Sequence, residues 1–145
     1  MINKKKLIEN ILNQPPINQN TEIDKKKTLA ENWFVNLRDQ ICNDFTKIEY
    51  NFKIKNNNSK KVNEVKSPIF KKKKWDRDGG GGGVISIMKG NVFEKVGVNI
   101  STVYGKFSDK FKTQIPGAEK TGDFWASGIS VVAHMNNPFV PAAHM

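Results

Sequence analysis

The sequence of residues 79–103, GGGGGVISIMKGNVFEKVGVNISTV, decides the fold. After five consecutive glycines, the apolar and β-branched residues 84–88 lie between glycines, which is typical of a strand. Residues 96–103 alternate with a period of two and predict a second strand. Because Gly90 and Asn91 stand between these two segments, we predict a turn that separates the strands.

A third strand and a helix complete the predicted domain. Residues 124–134 alternate as a strand, which Pro138 and Pro141 end. Residues 28–50 predict a helix, because apolar side chains recur at spacings of three and four: Ala30, Phe34, Leu37, Ile41, Phe45 and Ile48. Three strands close in sequence and one helix predict the α+β class, with an antiparallel β-sheet flanked by helices.

The ends of the helix and the connections follow from local signals. Thr28 and Glu31 can form a capping box at the helix start, although Thr21 offers an earlier start. Residues 53–67 have few large apolar side chains and predict an exposed loop, and residues 106–121 predict a polar connection with a turn. We therefore expect a flexible segment, 1–20, before a folded part, 21–145.

Composition excludes several classes of protein. No run of about 18 apolar residues occurs, so we expect no membrane-spanning helix, and the N-terminus lacks the pattern of a secretory or organellar leader. The single cysteine, Cys42, excludes an internal disulfide and is typical of a reducing cytoplasm. Because Cys42 adjoins the apolar stripe of the helix, we expect a core thiol rather than a nucleophile.

The net charge of +10 lies mostly in lysine runs of the first half of the chain. Such runs can bind nucleic acid or an anionic membrane, but they are more often a solvated surface. Of the 24 basic residues only Arg38 and Arg77 are arginines, the residue type that planar phosphate and base recognition prefers. We favour the solvated surface and keep a non-catalytic basic binding protein as the alternative function.

Two motifs carry candidate chemistry. The glycine run at 79–83 can be a weak phosphate cradle, a flexible linker, or a segment whose backbone must approach another backbone or a ligand closely. His134 and His144 lie on either side of a proline-bracketed turn. A strand that turns back there can bring the two imidazoles together, as a metal site or an acid–base pair requires, although a structural role for each histidine stays open.

Three stretches of the sequence together resemble one enzyme family. They are WDRDGGGGG at 75–83, GNVFEKVGVNISTVYG at 90–105 and GISVVAHMNNPFVPAAH at 128–144. All three closely resemble signature motifs of the oxygen-dependent coproporphyrinogen III oxidases, and residues 32–42 are similar to that family's first helix. The resemblance covers roughly residues 25–145 in the right order and implies the N-terminal half of the family fold.

The resemblance implies oxidative decarboxylation of two propionates of coproporphyrinogen III, which yields protoporphyrinogen IX in haem biosynthesis. O2 would be the electron acceptor, a divalent metal cation is implied for some members, and neither flavin nor haem is needed. Ser130 would contact the substrate, His134 would be a metal ligand, and His144 would be the proton donor and a second metal ligand. The family also implies a cytoplasmic homodimer with no nucleic-acid partner and a structural role near the site for the glycine run. We expect His134, His144 and the glycine run to share one cavity wall.

The sequence also departs from the family pattern. Met135 and Asn136 stand where the family usually has Pro-Arg, and the Asn-x-Arg that usually follows the last histidine would come after Met145. We therefore expect residues 21–145 to be a truncated part of the catalytic domain, with little or no turnover by this chain alone. A pseudoenzyme that associates with a full-length copy is a further alternative.

Overall fold

The computed structural model describes residues 22–56 and 68–145. The predicted flexible segment 1–20 and residues 57–67 of the predicted loop lie outside the described residues, so the division of the chain at residue 20 stays a prediction. In chain order the described elements are α1 Glu22–Asn56, β1 Lys71–Asp76, β2 Gly81–Met88, β3 Phe93–Lys106, α2 Asp109–Lys112, β4 Asp123–Met135 and β5 Ala143–His144.

The five strands form one antiparallel sheet in chain order, β1-β2-β3-β4-β5. The predicted α+β class is therefore confirmed, and the three predicted strands lie inside β2, β3 and β4. Strand β1 was not predicted, because the charge pattern of its four lysines indicated only a solvated surface. The returning strand that the sequence allowed between His134 and His144 is β5, which has only two residues.

Helix α1 is longer than predicted at both ends, since it begins at Glu22 and continues to Asn56. Its first turn is acidic and its last turn is basic, and both sets of charges stabilise the helix by interacting favourably with its dipole. The predicted capping box at Thr28 is wrong, because the Thr28 hydroxyl lies inside the helix and donates to the Asp24 carbonyl at 3.0 Å. No helix in the described part of the chain has the length and apolar character that a membrane crossing requires.

The glycine run forms the turn between β1 and β2 and the first three residues of β2. Gly81 has a φ of +83°, and a Cβ on it would meet the backbone carbonyl of Thr102. A Cβ on Gly82 would likewise meet the carbonyl of Trp75, and one on Gly83 the carbonyl of Ile100. Close approach of backbones, one of the three interpretations of this run, is therefore confirmed, and the flexible-linker interpretation is wrong.

The lysine-rich strand β1 is attached to α1 by an ion pair. Lys72 Nζ donates to Asp39 Oδ1 at 2.8 Å, and the neighbouring Arg38 Nε donates to the same oxygen at 3.0 Å. Partial burial raises the pKa of the Asp39 carboxyl, but hydrogen bonds and charges from Lys72 and Arg38 outweigh that effect and hold the pKa below its usual value. Because side chains alternate along a strand, Lys71 and Lys73 point to the opposite face.

The hydrophobic core lies between α1 and the face of the sheet formed by β2, β3 and β4. Its buried members are Cys42, Met88, Phe93, Val96, Val98, Val131 and Ala133. Phe45 of α1 packs edge-on against Phe93, with ring centroids 5.0 Å apart. Residues two apart in β3 and β4 share this face, which is the period that predicted the strands.

A buried carboxylate fixes the turn between β2 and β3. Glu49 of α1 is fully buried, and its two oxygens accept the backbone N–H groups of Asn91, Val92 and Phe93 at 2.8, 2.9 and 2.8 Å. A Cβ at position 90 would clash with this carboxylate, so the close approach of Glu49 requires glycine at that position. The apolar stripe of the sequence predicted Ile48 as a core residue, but Ile48 is 46% exposed.

We expect loss of the Glu49 carboxylate to destabilise the protein strongly. Glu49→Ala leaves three partly or fully buried N–H groups without an acceptor and should lower the free energy of unfolding by about 3 kcal/mol or more. Glu49→Gln keeps one acceptor oxygen and should lower it by roughly half as much. Urea unfolding followed by circular dichroism measures both values. Glu22→Gln, at an exposed ion pair of the same helix, is the control and should change little.

Candidate active site

α1 covers one face of the sheet, and no described helix packs on the opposite face, which we call the open face. Strand register places residues of the open face in rows across the sheet. The first row is Lys71, Ile87, Gly97, Val132 and His144, the second is Lys73, Ile85, Asn99 and Ser130, and the third is Trp75, Gly83, Ser101 and Gly128.

Two open cavities of about 430 and 450 Å³ lie side by side on the open face. They share Ile85 and Asn99, so they form one continuous trough. His134 lines the first cavity and Ser130 lines the second. The trough therefore brings together two of the three residues that the family resemblance singles out.

The two histidines meet at one end of the open face. His134 Nε2 and His144 Nε2 lie 3.1 Å apart, and both side chains are exposed. The chain returns after Pro138, and β5 pairs with β4, where Val131 and Met145 exchange two backbone hydrogen bonds of 2.8 and 2.9 Å. The prediction that a returning strand brings the two imidazoles together is confirmed.

A 3.1 Å separation means that one imidazole donates an N–H and the other accepts it. Two imidazolium ions cannot make this contact, because each ring nitrogen would then carry a proton. The pair can therefore hold one shared proton between two bases. This arrangement suits the delivery or removal of a proton.

Asn136 connects the end of β4 to the turn that Glu49 holds. Its side-chain amide donates to the carbonyls of Gly90 and Asn91 at 3.0 and 2.8 Å, and its backbone N–H donates to the carbonyl of Val92 at 2.9 Å. Sequence reasoning noted Asn136 only as a departure from the family pattern. The position of Asn136, between a strand end and a proline turn, could have indicated this role, since Asn side chains often bond neighbouring backbone groups.

The glycine run does not line the cavity beside His134. We had expected the oligoglycine segment and both histidines to share one cavity wall, and that expectation is wrong. Gly81, Gly82 and Gly83 line a separate cavity of about 380 Å³ next to α1, together with Phe34 and Val35. The run thus shapes the sheet rather than the histidine site.

The residues can supply only part of a metal site. Zinc binds imidazole nitrogen at about 2.0–2.1 Å, so a single ion can contact both Nε2 atoms of a pair 3.1 Å apart. Among the described residues no group of three or more His, Cys, Asp or Glu side chains could hold a metal ion. The donor set therefore fits two ligands of a divalent cation, and water or other groups would have to complete it.

Fold and site together define an α+β protein that carries a paired-imidazole site on one face of an antiparallel sheet. The sequence profile of coproporphyrinogen III oxidase matches residues 29–145, and this chain belongs to that family. Family membership does not favour the basic binding protein that charge alone left open.

The chain is similar to oxygen-dependent coproporphyrinogen-III oxidases of several rickettsiae. It is 52% identical over 120 residues to the Rickettsia bellii (strain OSU 85-389) protein. It is 50% identical over 120 residues to those of Rickettsia felis and Rickettsia akari. In each case the match covers 83% of this chain and 40% of the relative. The chain thus spans about two fifths of the length of the curated relatives it matches.

Cys42 lies in the core on the covered side of the sheet and not at the site, which confirms it as a core thiol. Burial raises the pKa of its thiol to about 11. We expect the folded protein to react very slowly with Ellman's reagent at pH 8 and to react fully in 6 M guanidinium chloride. Rapid reaction of the native protein, whose circular dichroism serves as the control for folding, would contradict this assignment.

Proposed function

We propose that this chain provides the substrate- and proton-handling face of an oxygen-dependent coproporphyrinogen III oxidase of haem biosynthesis. Coproporphyrinogen III would lie on the open face. The observation that carries the proposal is the 3.1 Å contact between His134 and His144 beside the trough that Ser130 lines.

The chemistry needs protons at defined places. In each step a propionate loses its carboxyl group as CO2, a C–H bond breaks, and a vinyl C=C bond forms. The two electrons released reduce O2 to hydrogen peroxide, which takes up two protons, one more than the C–H bond releases. An imidazole pair that shares one proton can supply the missing one, and we assign this donation to His144.

The other roles follow from position. Ser130 is exposed on the open face, and its hydroxyl can donate to a propionate or accept from a pyrrole N–H. In place of the shared proton, His134 and His144 would hold a divalent cation, which would supply positive charge next to a substrate carboxylate. Because the electron-rich pyrroles can react with O2 themselves, the proposal includes O2 as co-substrate and needs neither flavin nor haem.

The proposal extends to the setting of the protein. We place it in the cytoplasm as a homodimer, with coproporphyrinogen III rather than nucleic acid as its partner, in line with family membership. The match of 120 residues covers about two fifths of the relatives' length, and we keep the expectation that this chain turns over little substrate alone. Binding is therefore the decisive measurement.

We expect the chain to bind coproporphyrin III, a stable fluorescent analogue with the same four propionates. Ser130→Tyr would place a large ring on the trough floor, and His144→Ala would remove one imidazole of the pair beside the trough. Each change should weaken binding about tenfold or more, a loss typical of a blocked contact or a lost hydrogen bond. Porphyrin fluorescence titration measures the affinity.

Thr113→Tyr, at an exposed position after α2, is the matched control and should bind like the unchanged chain. If the unchanged chain failed to bind coproporphyrin III, the open face would not be the substrate face. Equal binding by Ser130→Tyr and the control would also rule out the trough as the binding site.

A further inference from the structure

Two glycines on the open face have no structural reason to be glycine. A Cβ on Gly97 would have Asn99 Nδ2 as its nearest neighbour, at an ordinary 3.7 Å. A Cβ on Gly128 would have no atom of the described residues within 4 Å. Neither glycine has a positive φ. Gly81, by contrast, has a positive φ, and a Cβ on it would clash with the backbone carbonyl of Thr102.

Glycine inside a strand weakens it, because glycine loses more backbone entropy and contributes no packing. When the chain itself leaves room for a side chain, the remaining reason for glycine is close approach by something outside the strand. Gly97 and Gly128 lie on neighbouring strands, with Asn99 and Ser130 in the row between them. The two glycines therefore leave the first and third rows of the trough floor without a side chain at these positions.

Lysines lie at one edge of the trough and the histidine pair lies at the other. Lys71 and Lys73 lie on the β1 edge, and neither has an ion-pair partner among the described residues, unlike Lys72 between them. The histidine pair lies on the β5 side. Lys71 and His144 share a row and are four strand spacings apart, about 19 Å at roughly 4.8 Å each.

The surface between these edges is mostly apolar or small. Ile85, Ile87 and Val132 line the trough, and Lys95 adds a charge in the same row as His134. Glu94 is the single acidic side chain that lines the two described cavities. A matching ligand is therefore flat, apolar in its centre and anionic around its rim.

We propose that Gly97 and Gly128 set the specificity of the open face for a flat polycarboxylate macrocycle, which lies directly on β3 and β4. Lys71 and Lys73 bind the carboxylates on its β1 side, opposite the histidine pair. This inference rests on the proposed function and assigns the floor and the far rim of the same site.

The first experiment measures coproporphyrin III binding and stability for Gly97→Ala and Gly128→Ala. Each methyl group raises the floor under the ring, so we expect binding about tenfold weaker or more, an effect typical of overpacking. The melting temperature should stay the same or rise slightly, because alanine reduces the entropy of the unfolded chain. Gly82→Ala, which would strike the Trp75 carbonyl, is the contrast and should lower the melting temperature.

The second experiment tests the far rim. Lys71→Gln together with Lys73→Gln should weaken binding about tenfold at low ionic strength, and the difference should shrink in 0.5 M salt, because exposed charges are screened. Lys110→Gln together with Lys120→Gln, two exposed lysines that do not line the trough, is the charge-matched control and should bind unchanged.

The outcomes separate this inference from the proposed function. Failure of the unchanged chain to bind the porphyrin overturns both. Normal binding by the alanine variants overturns the role of the glycines and leaves the proposed function standing. If Gly128→Ala instead turned a dimer into a monomer in light scattering without loss of affinity, a second copy would cover the open face, and this inference would be wrong.

Discussion

The carboxylate of Glu49 is the interaction on which the rest of the structure depends. A fully buried charge is costly unless it is hydrogen-bonded, and three backbone N–H groups of the β2–β3 turn satisfy this one. On the other side of the same turn, Asn136 donates to two of its carbonyls. One turn is thereby tied both to α1 and to the end of β4, where the chain begins its return towards His144.

This arrangement divides the sheet into two faces with different uses. One face is packed under α1 around Met88, Val96 and Val98, and it provides stability. The residues of the open face are held rigidly in place, because they alternate with core residues along the same strands. A site built on paired strands keeps its spacing better than one built on loops, and the histidine pair benefits from this at the point where β5 joins β4.

The sequence predicted the elements with the strongest hydrophobic patterns. It did not predict the features in which charge competes with strand formation or with burial. The alternation in β2, β3 and β4 was sufficient, because burial on one face requires a period of two. The lysines of β1 are exposed, as their charge predicted, but their sequence does not indicate that they form a strand or that Lys72 reaches Asp39. Glu49 continues the apolar stripe four residues after Phe45, but a carboxylate in a core becomes plausible only when its three donors are known.

The sequence by itself determined the class of the fold, the family and the set of candidate side chains, because periodicity and motif spacing are local properties of the chain. Tertiary structure alone decided which of these side chains meet. The contact between His134 and His144 depends on the return of β5, which the hydrogen bonds between Val131 and Met145 fix. The separate cavity of the glycine run depends on strand register in the same way, since register is set by turns and packing between distant segments.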